Sequence, residues 1–164
     1  MMNAELQYQI EQFLFHKAEL CDAKKWDEYL ALFCDDCEFH LPQWESEHLV
    51  TQDPRKGLSL IYYANRTGLE DRVFRLRTGK AASAVPLPRT VHFISNVRIT
   101  PQAHGALTVN ANWKTSYYRH STSEEFYGFA TYSLIPSADS WRIKRKHVIL
   151  LNDTINSVLD FYHL

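Results

Sequence analysis

Cys34-Asp35-Asp36-Cys37, with His40 three residues further on, is the first spacing in the chain that invites chemistry. Two thiolates so placed are half of a zinc or iron–sulfur site, and such a site takes a second ligand pair at a defined distance. Only Cys21 remains, and no Cys-x-His element accompanies it. A redox pair needs a thiol whose pKa is lowered at a helix N-terminus. This pair follows a helical segment and encloses two carboxylates, which raise thiol pKa values. The structural reading prevails: Cys34 ends a helix, Cys37 opens a strand, and both pack as small hydrophobes.

Eight histidines are material for mononuclear iron, which needs two histidines and a carboxylate converging with open positions. His16, His92, His104, His120, His147 and His163 are scattered, and no two share helical ligand spacing. Glu45, Glu47 and His48 cluster near His40, where the reading is a solvated charged loop. Asp35, His40, Tyr29 and His92 are the groups that would do acid–base work if the fold brought them together, since such work needs hydrogen-bond reach of a substrate proton. Against that, Tyr29 and His92 suit a core edge with satisfied polar tips. No dinucleotide fingerprint, Walker loop or nucleophile elbow occurs. The residues alone assign no catalytic, cofactor-binding or metal-binding side chain.

The elements that must position these groups fall into two halves. Leu6, Ile10, Phe13, Leu14, Lys17 and Cys21 follow three- and four-residue spacing and predict an amphipathic helix over 4–21, the Lys17 stem lying along its stripe. Asp22 is placed to cap a short second helix carrying Trp26, Tyr29, Leu30 and Phe33. Asp35-Asp36 reads as a turn, 37–41 as a strand stopped by Pro42, and 43–57 as a polar loop. Leu58 to Tyr63 suits a short strand. Thr67 and Glu70 form a capping box for a third helix facing the core with Leu69, Val73 and Leu76, and ended by Gly79. Residues 80–88 are a loop.

Beyond it the period changes to two. Leu107, Val109, Ala111, Trp113, Thr115 and Tyr117 alternate with polar partners, and 125–135 and 141–151 are two more strands joined by a turn at Pro136–Ser140. Simple alternation puts Arg142, Lys144 and Lys146 on one face, and Arg145 on the other with Trp141, Ile143, His147 and Ile149. The basic run is a solvated outer face or a docking surface for an acidic partner. The 125–135 strand is apolar on both faces: Phe126, Ala130, Tyr132 and Leu134 on one, Tyr127, Phe129 and Ile135 on the other. One face needs a cover other than the helices, either another subunit or the chain's own 152–164 tail. Helices first and strands after give an α+β domain over 1–164, a curved antiparallel sheet wrapping the N-terminal helices into a cone.

A net charge of −1 excludes bulk attraction for nucleic acid or anionic membrane. No apolar run approaches the ~20 residues of a membrane span. The first residues lack the basic-then-apolar order of a signal peptide, so reduced thiols in the cytoplasm are expected.

Three segments carry a family resemblance. They are Leu60-Ile61-Tyr62-Tyr63-Ala64-Asn65-Arg66-Thr67-Gly68-Leu69-Glu70-Asp71-Arg72-Val73-Phe74-Arg75-Leu76, then Pro88-Arg89-Thr90-Val91-His92-Phe93-Ile94-Ser95-Asn96-Val97, and last Leu151-Asn152-Asp153-Thr154-Ile155 with Val158-Leu159-Asp160-Phe161-Tyr162-His163. They resemble signatures of the small (β) subunits of Rieske-type aromatic-ring dioxygenases, in the benzoate and anthranilate branch. Leu41-Pro42-Gln43-Trp44-Glu45-Ser46-Glu47-His48 and Arg77-Thr78-Gly79-Lys80-Ala81-Ala82 lean toward the anthranilate-oxidising members. The resemblance implies a cystatin-like or NTF2-like fold and a non-catalytic, structural role. It places the Rieske [2Fe–2S] cluster and mononuclear Fe(II) on a partner α subunit, with a trimer of αβ pairs. It adds an NADH-dependent flavin/[2Fe–2S] reductase as electron donor, and a reaction that converts anthranilate to catechol with loss of ammonia and carbon dioxide. Alternatives are the benzoate 1,2-dioxygenase small subunit, or a free-standing NTF2-like dehydratase or isomerase using the cone.

Overall fold

The computed structural model describes residues 3–80, 85–156 and 158–164. Helix α1 (Ala4–Asp22) begins at Asn3, whose side chain accepts from the Glu5 N–H at 2.9 Å and so satisfies one orphan amide of the first turn. The predicted stripe is the buried one: Ile10, Phe13, Leu14, Lys17 and Cys21 are all covered. Lys17 departs from expectation, because the whole side chain is buried and not the stem alone. Asp22 closes α1 and does not cap α2 (Trp26–Ala31), which starts without a side-chain cap. Its carboxylate is engaged elsewhere, by the β5 strand described below.

Strand β1 (Phe33–Pro42) runs straight through the Asp35-Asp36 pair, where a turn was expected. The reason is a bulge. Phe33 pairs with Ile143 and Glu38 with Arg145, so β1 spends extra residues between two neighbouring registers. Asp35 and Asp36 occupy that excess and point to solvent, where Arg66 and Lys144 take them up as ion pairs. The polar stretch beyond Pro42 carries a small hairpin, β2 (Trp44–Ser46) with β3 (Leu49–Val50), pinned to the sheet by Trp44 Nε1 donating to the Leu150 carbonyl at 2.7 Å. After β4 (Ser59–Tyr63), helix α3 (Thr67–Thr78) buries Leu69, Val73 and Leu76 as its spacing predicts. It lacks the capping box: Asn65 accepts the Thr67 N–H, and Glu70 takes the Arg66 guanidinium instead. Gly79 ends α3 with φ 66°, a left-handed conformation in which a Cβ is costly. Of the 80–88 loop, residues 81–84 lie outside the described residues.

The remaining strands are β5 (Arg89–Pro101), β6 (Leu107–Arg119), β7 (Thr122–Ser137) and β8 (Ser140–Leu150). The six-stranded sheet has the order β4-β1-β8-β7-β6-β5. It is antiparallel except where β1 lies parallel to β8, so it is mixed and not purely antiparallel. Long antiparallel pairs twist strongly, and the sheet curls round α1 and α2, which gives the α+β, NTF2-like cone that was expected. The alternation of β6 is realised in full: Leu107, Val109, Ala111, Trp113, Thr115 and Tyr117 all face inward.

The basic run on β8 departs from simple alternation. Ser133 pairs with Arg145 but Leu134 with Ile143, so Lys144 is the extra residue of a bulge. The strand changes face there. Ile143, Lys146 and Val148 point inward, while Arg145 points outward to Glu38 at 2.7 Å. The chain's last residues, capped by Asp160 and wound into one 3-10 turn (Phe161–His163), plug the cone's inner side. Phe161 packs on Trp26 and Tyr29, and His163 on Tyr117 and Phe126.

Candidate functional site: the cone interior and the outer sheet face

Asp35, His40, Tyr29 and His92 do not form one site. Asp35 is exposed and held by Arg66 at 2.8 Å. His40 is buried between Ser59, whose hydroxyl is 2.9 Å from Nε2, and the rings of Tyr62 and His147. Burial holds both His40 and His147 below the usual histidine range, His147 at about 4. Tyr29 sits in the aromatic core with Trp26, Phe33 and Phe161. Its hydroxyl is buried and makes no hydrogen bond, and burial pushes its pKa well up. The structure thus separates the groups that sequence reasoning left free to converge.

His92 finds Asp22, a partner the sequence did not suggest. Asp22 accepts from the His92 ring at 2.5 Å, from the His92 main-chain N–H at 3.0 Å and from the Thr90 hydroxyl at 2.9 Å. Burial pushes the Asp22 carboxyl up, and these donors outweigh it and bring it below the usual carboxylate range. Burial lowers His92 despite the carboxylate beside it. The arrangement ties the end of α1 to the edge strand β5. A groove of about 540 Å³ runs alongside, lined by Phe15, Glu19, Asp22, His92 and Phe93 among others.

Inside the cone lie two lysines. Lys17 from α1 and Lys146 from β8 are 2% and 1% exposed and touch each other. Burial and the neighbouring Lys17 charge hold Lys146 well below the usual lysine range. Burial opposes the charge on Lys17 too, but its contacts with Tyr132 and Cys21 outweigh it and keep Lys17 raised. Lys146 donates to the Leu164 main-chain oxygen at 3.3 Å. Cys21, beside them, is pushed up to about 12 by burial and is a neutral thiol.

Cys34 and Cys37 both lie within β1, not at a helix end and a strand start, and both are buried. Burial raises both thiols, Cys37 to about 11. Neither is a thiolate near neutral pH, and the thiolate is the form that ligates metal. Among the described residues no three His, Cys, Asp or Glu side chains are grouped so as to hold a metal ion. Glu45 and Glu47 line a shallow cleft of about 370 Å³ with Trp44 and Asp153, away from any histidine lining.

The outer face of the sheet is the other candidate. On β7 the inward row is Phe126, Ala130, Tyr132 and Leu134, as expected, and Tyr127 and Phe129 stand outward at 44% and 50% exposure. Register places Phe93, Lys114 and Tyr127 side by side across β5, β6 and β7, with Asn112, Phe129 and Ile149 in the next row. Phe93 and Val91 are 54% and 46% exposed. A cleft of about 380 Å³ opens between Phe93, Asn112 and Lys114. Phe161 and His163 of the tail pack on the inner side, Tyr127 and Phe129 stay exposed, and Trp113 and Tyr117 face inward and do not extend the patch.

Among the described residues no metal donors are grouped, and Val91, Phe93, Tyr127 and Phe129 are exposed on the outer face of the sheet. Residues 16–157 match the family described as ring hydroxylating beta subunit, and the chain belongs to that family. It is 55% identical over 163 residues to the anthranilate 1,2-dioxygenase small subunit of Acinetobacter baylyi, covering 99% of this chain and 100% of that one. It is 38% identical to the benzoate 1,2-dioxygenase subunit beta of the same organism, covering 95% and 92%. The crystal structure of the benzoate 1,2-dioxygenase beta subunit of Burkholderia mallei superposes with a TM-score of 0.82 at 35% identity, covering 100% of this chain and 99% of that one. The chain is thus the small subunit of a ring-hydroxylating dioxygenase and pairs with a larger α subunit. No helix among the described residues is long and apolar enough to cross a membrane.

Proposed function

We propose that the chain is the non-catalytic scaffold subunit of an anthranilate 1,2-dioxygenase that works in the cytoplasm. One domain, 1–164, carries this role and contributes no catalytic, cofactor-binding or metal-binding residue. The Rieske [2Fe–2S] cluster and the mononuclear iron belong to the α subunit, in a trimer of αβ pairs fed by an NADH-dependent flavin reductase. The exposed face around Phe93, Tyr127 and Phe129 is a subunit contact, β to β or β to α, because exposed aromatic patches of this kind mark association surfaces. The buried, protonated thiols support leaving the iron chemistry to the partner.

The observation that carries the substrate assignment is the 55% identity with the anthranilate subunit, against 38% with the benzoate subunit. The test is co-expression with a Rieske-type α chain of an anthranilate dioxygenase, followed by turnover with reductase and NADH. Anthranilate is expected to give catechol faster than benzoate gives its dihydrodiol. Preferred oxidation of benzoate refutes the substrate assignment. Failure to co-purify with the Rieske chain refutes the scaffold assignment.

A further inference from the structure

Strand β5 pairs with β6 on one side and is an edge of the sheet on the other. Side chains of α1 cap that edge at two points. Asp22 accepts the His92 main-chain N–H at 3.0 Å, and Gln7 Nε2 donates to the Val97 carbonyl at 3.1 Å. An antiparallel edge strand turns its main-chain groups outward at every second residue. The Ile94 main chain therefore points the same way as that of His92, between the two caps. Along this stretch runs the groove of about 540 Å³, with Phe15, Ala18 and Glu19 on the helix side and Phe93 and Ile94 on the strand side. Its helix wall continues through Gln12 to Tyr8, since residues 8, 12, 15, 19 and 22 follow helical spacing. Tyr8 and Phe15 are both exposed, a second aromatic stripe on α1 apart from the one that fills the core. Phe93 also lines the cleft beside Asn112 and Lys114, so the groove runs on into the outer aromatic face. The charges that line the groove are of one sign, Glu19 and Asp22. Asp22 is engaged by His92, while the exposed Glu19 has His16 Nδ1 at 3.9 Å. The one lysine of α1, Lys17, is buried, and Lys24 and Lys25 follow the helix end and do not line the groove.

We propose that the α1–β5 groove receives an extended segment of the α subunit, laid along β5 as an added strand, with apolar side chains on Phe15 and Phe93 and a lysine or arginine on Glu19. Strand addition supplies main-chain hydrogen bonds at the Ile94 edge, and the walls of the groove set which side chains fit. The Asp22 and Gln7 caps confine the added strand to a short run. A second copy of this chain suits the groove less well, because a two-fold contact sets the same surface against itself and would bring the acidic wall of one α1 against that of the other. The inference rests on the pairing with an α subunit and adds a place of contact distinct from Phe129.

The test is competition for a Rieske-type α chain of an anthranilate dioxygenase, co-expressed with equal amounts of the unaltered chain and of a variant carrying a different tag. Phe15→Ser and, separately, Glu19→Lys are expected to fold and to be under-represented in the purified complex by about tenfold. Asp139→Lys, an equal charge change at the exposed β7–β8 turn, is expected to compete evenly. Phe15→p-benzoylphenylalanine, irradiated in the complex, is expected to crosslink to one stretch of the α chain that contains a lysine or arginine. Even competition by Glu19→Lys, or an equal loss with Asp139→Lys, overturns the proposal. A crosslink to a second copy of this chain, or none to the α chain, also overturns it. If Phe15→Ser fails to fold, Glu19→Lys and the crosslink decide. Failure of the unaltered chain to co-purify refutes the pairing itself and this proposal with it, whereas normal pairing with unaffected groove variants refutes this proposal alone.

Discussion

Replacing Phe129 by aspartate separates a surface that binds from one that merely faces water. Phe129 is half exposed on β7, with its neighbours Asn112 and Ile149 on the same outer face. Its side chain is not part of the core, and the hydrogen bond it offers to Trp113 Nε1, at 3.0 Å, comes from the main-chain carbonyl and survives substitution. The cost to the fold is therefore the lost half-burial and strand preference, about 1–2 kcal/mol. The cost to an interface is larger. An aromatic side chain has roughly 200 Å² to bury, so the exposed half represents ~100 Å², or about 2.5 kcal/mol per copy at ~25 cal/mol per Å². A carboxylate trapped there adds a desolvation penalty of several kcal/mol. The variant is expected to keep its far-UV circular dichroism and to show a smaller particle in light scattering, alone or with the α subunit. Normal assembly refutes the interface role of Phe129. Outright unfolding refutes it too, since it would show a core residue.

Three further outcomes are expected. The purified chain is colourless and binds no stoichiometric iron, and metal analysis giving about one chelation-resistant iron per chain would contradict the scaffold assignment. Cys34→Ser with Cys37→Ser lowers stability by about 1–3 kcal/mol for each buried hydroxyl but leaves turnover largely intact when the α subunit is supplied; a folded, assembled double variant without turnover would give the thiols a chemical role. Stability falls in acid through His163, which burial holds down at about 4. The unfolded chain takes up this proton first, near pH 6.5, so the contribution is complete above that pH and is lost as pH falls toward 4, about 1.4 kcal/mol per pH unit and ~3 kcal/mol in all. His163→Asn, which keeps an acceptor for the Asp160 N–H, is expected to flatten the urea-unfolding midpoint between pH 6.5 and 4.5, and an unchanged slope contradicts this.

What could be read from the sequence was whatever obeys one uninterrupted period. The α1 stripe and the β6 alternation needed only local spacing; the β6 row is realised in full, and the α1 stripe is buried from Ile10 to Cys21 with Leu6 partly covered. Strand β5 escaped detection because its apolar side chains do not mark one face: Val91 and Phe93 stand outward while Thr90, His92 and Ile94 turn inward toward α1. Polar groups whose roles depend on distant partners were also hidden. Asp22 looked like a cap, and its real partners are 68 and 70 residues away. Asp35-Asp36 looked like a turn, because a bulge and a turn draw on the same polar residues.

Lys146 shows the same limit most directly. Strict alternation from Trp141 assigns it to solvent beside Lys144, and a single extra residue in the β8–β7 pairing sends it into the core. A one-residue slip reverses every side chain beyond it, so neither composition nor period could have revealed the buried lysine pair. The same slip orders the division of labour in the molecule. It turns Ile143, Lys146 and Val148 inward, where the Phe161–Leu164 plug meets them, and leaves Arg145, His147 and Ile149 to continue the outer face beside Phe129. The Phe161–Leu164 turn lies against the inner face, while Tyr127 and Phe129 stay exposed on the outer face, the surface proposed above as the subunit contact.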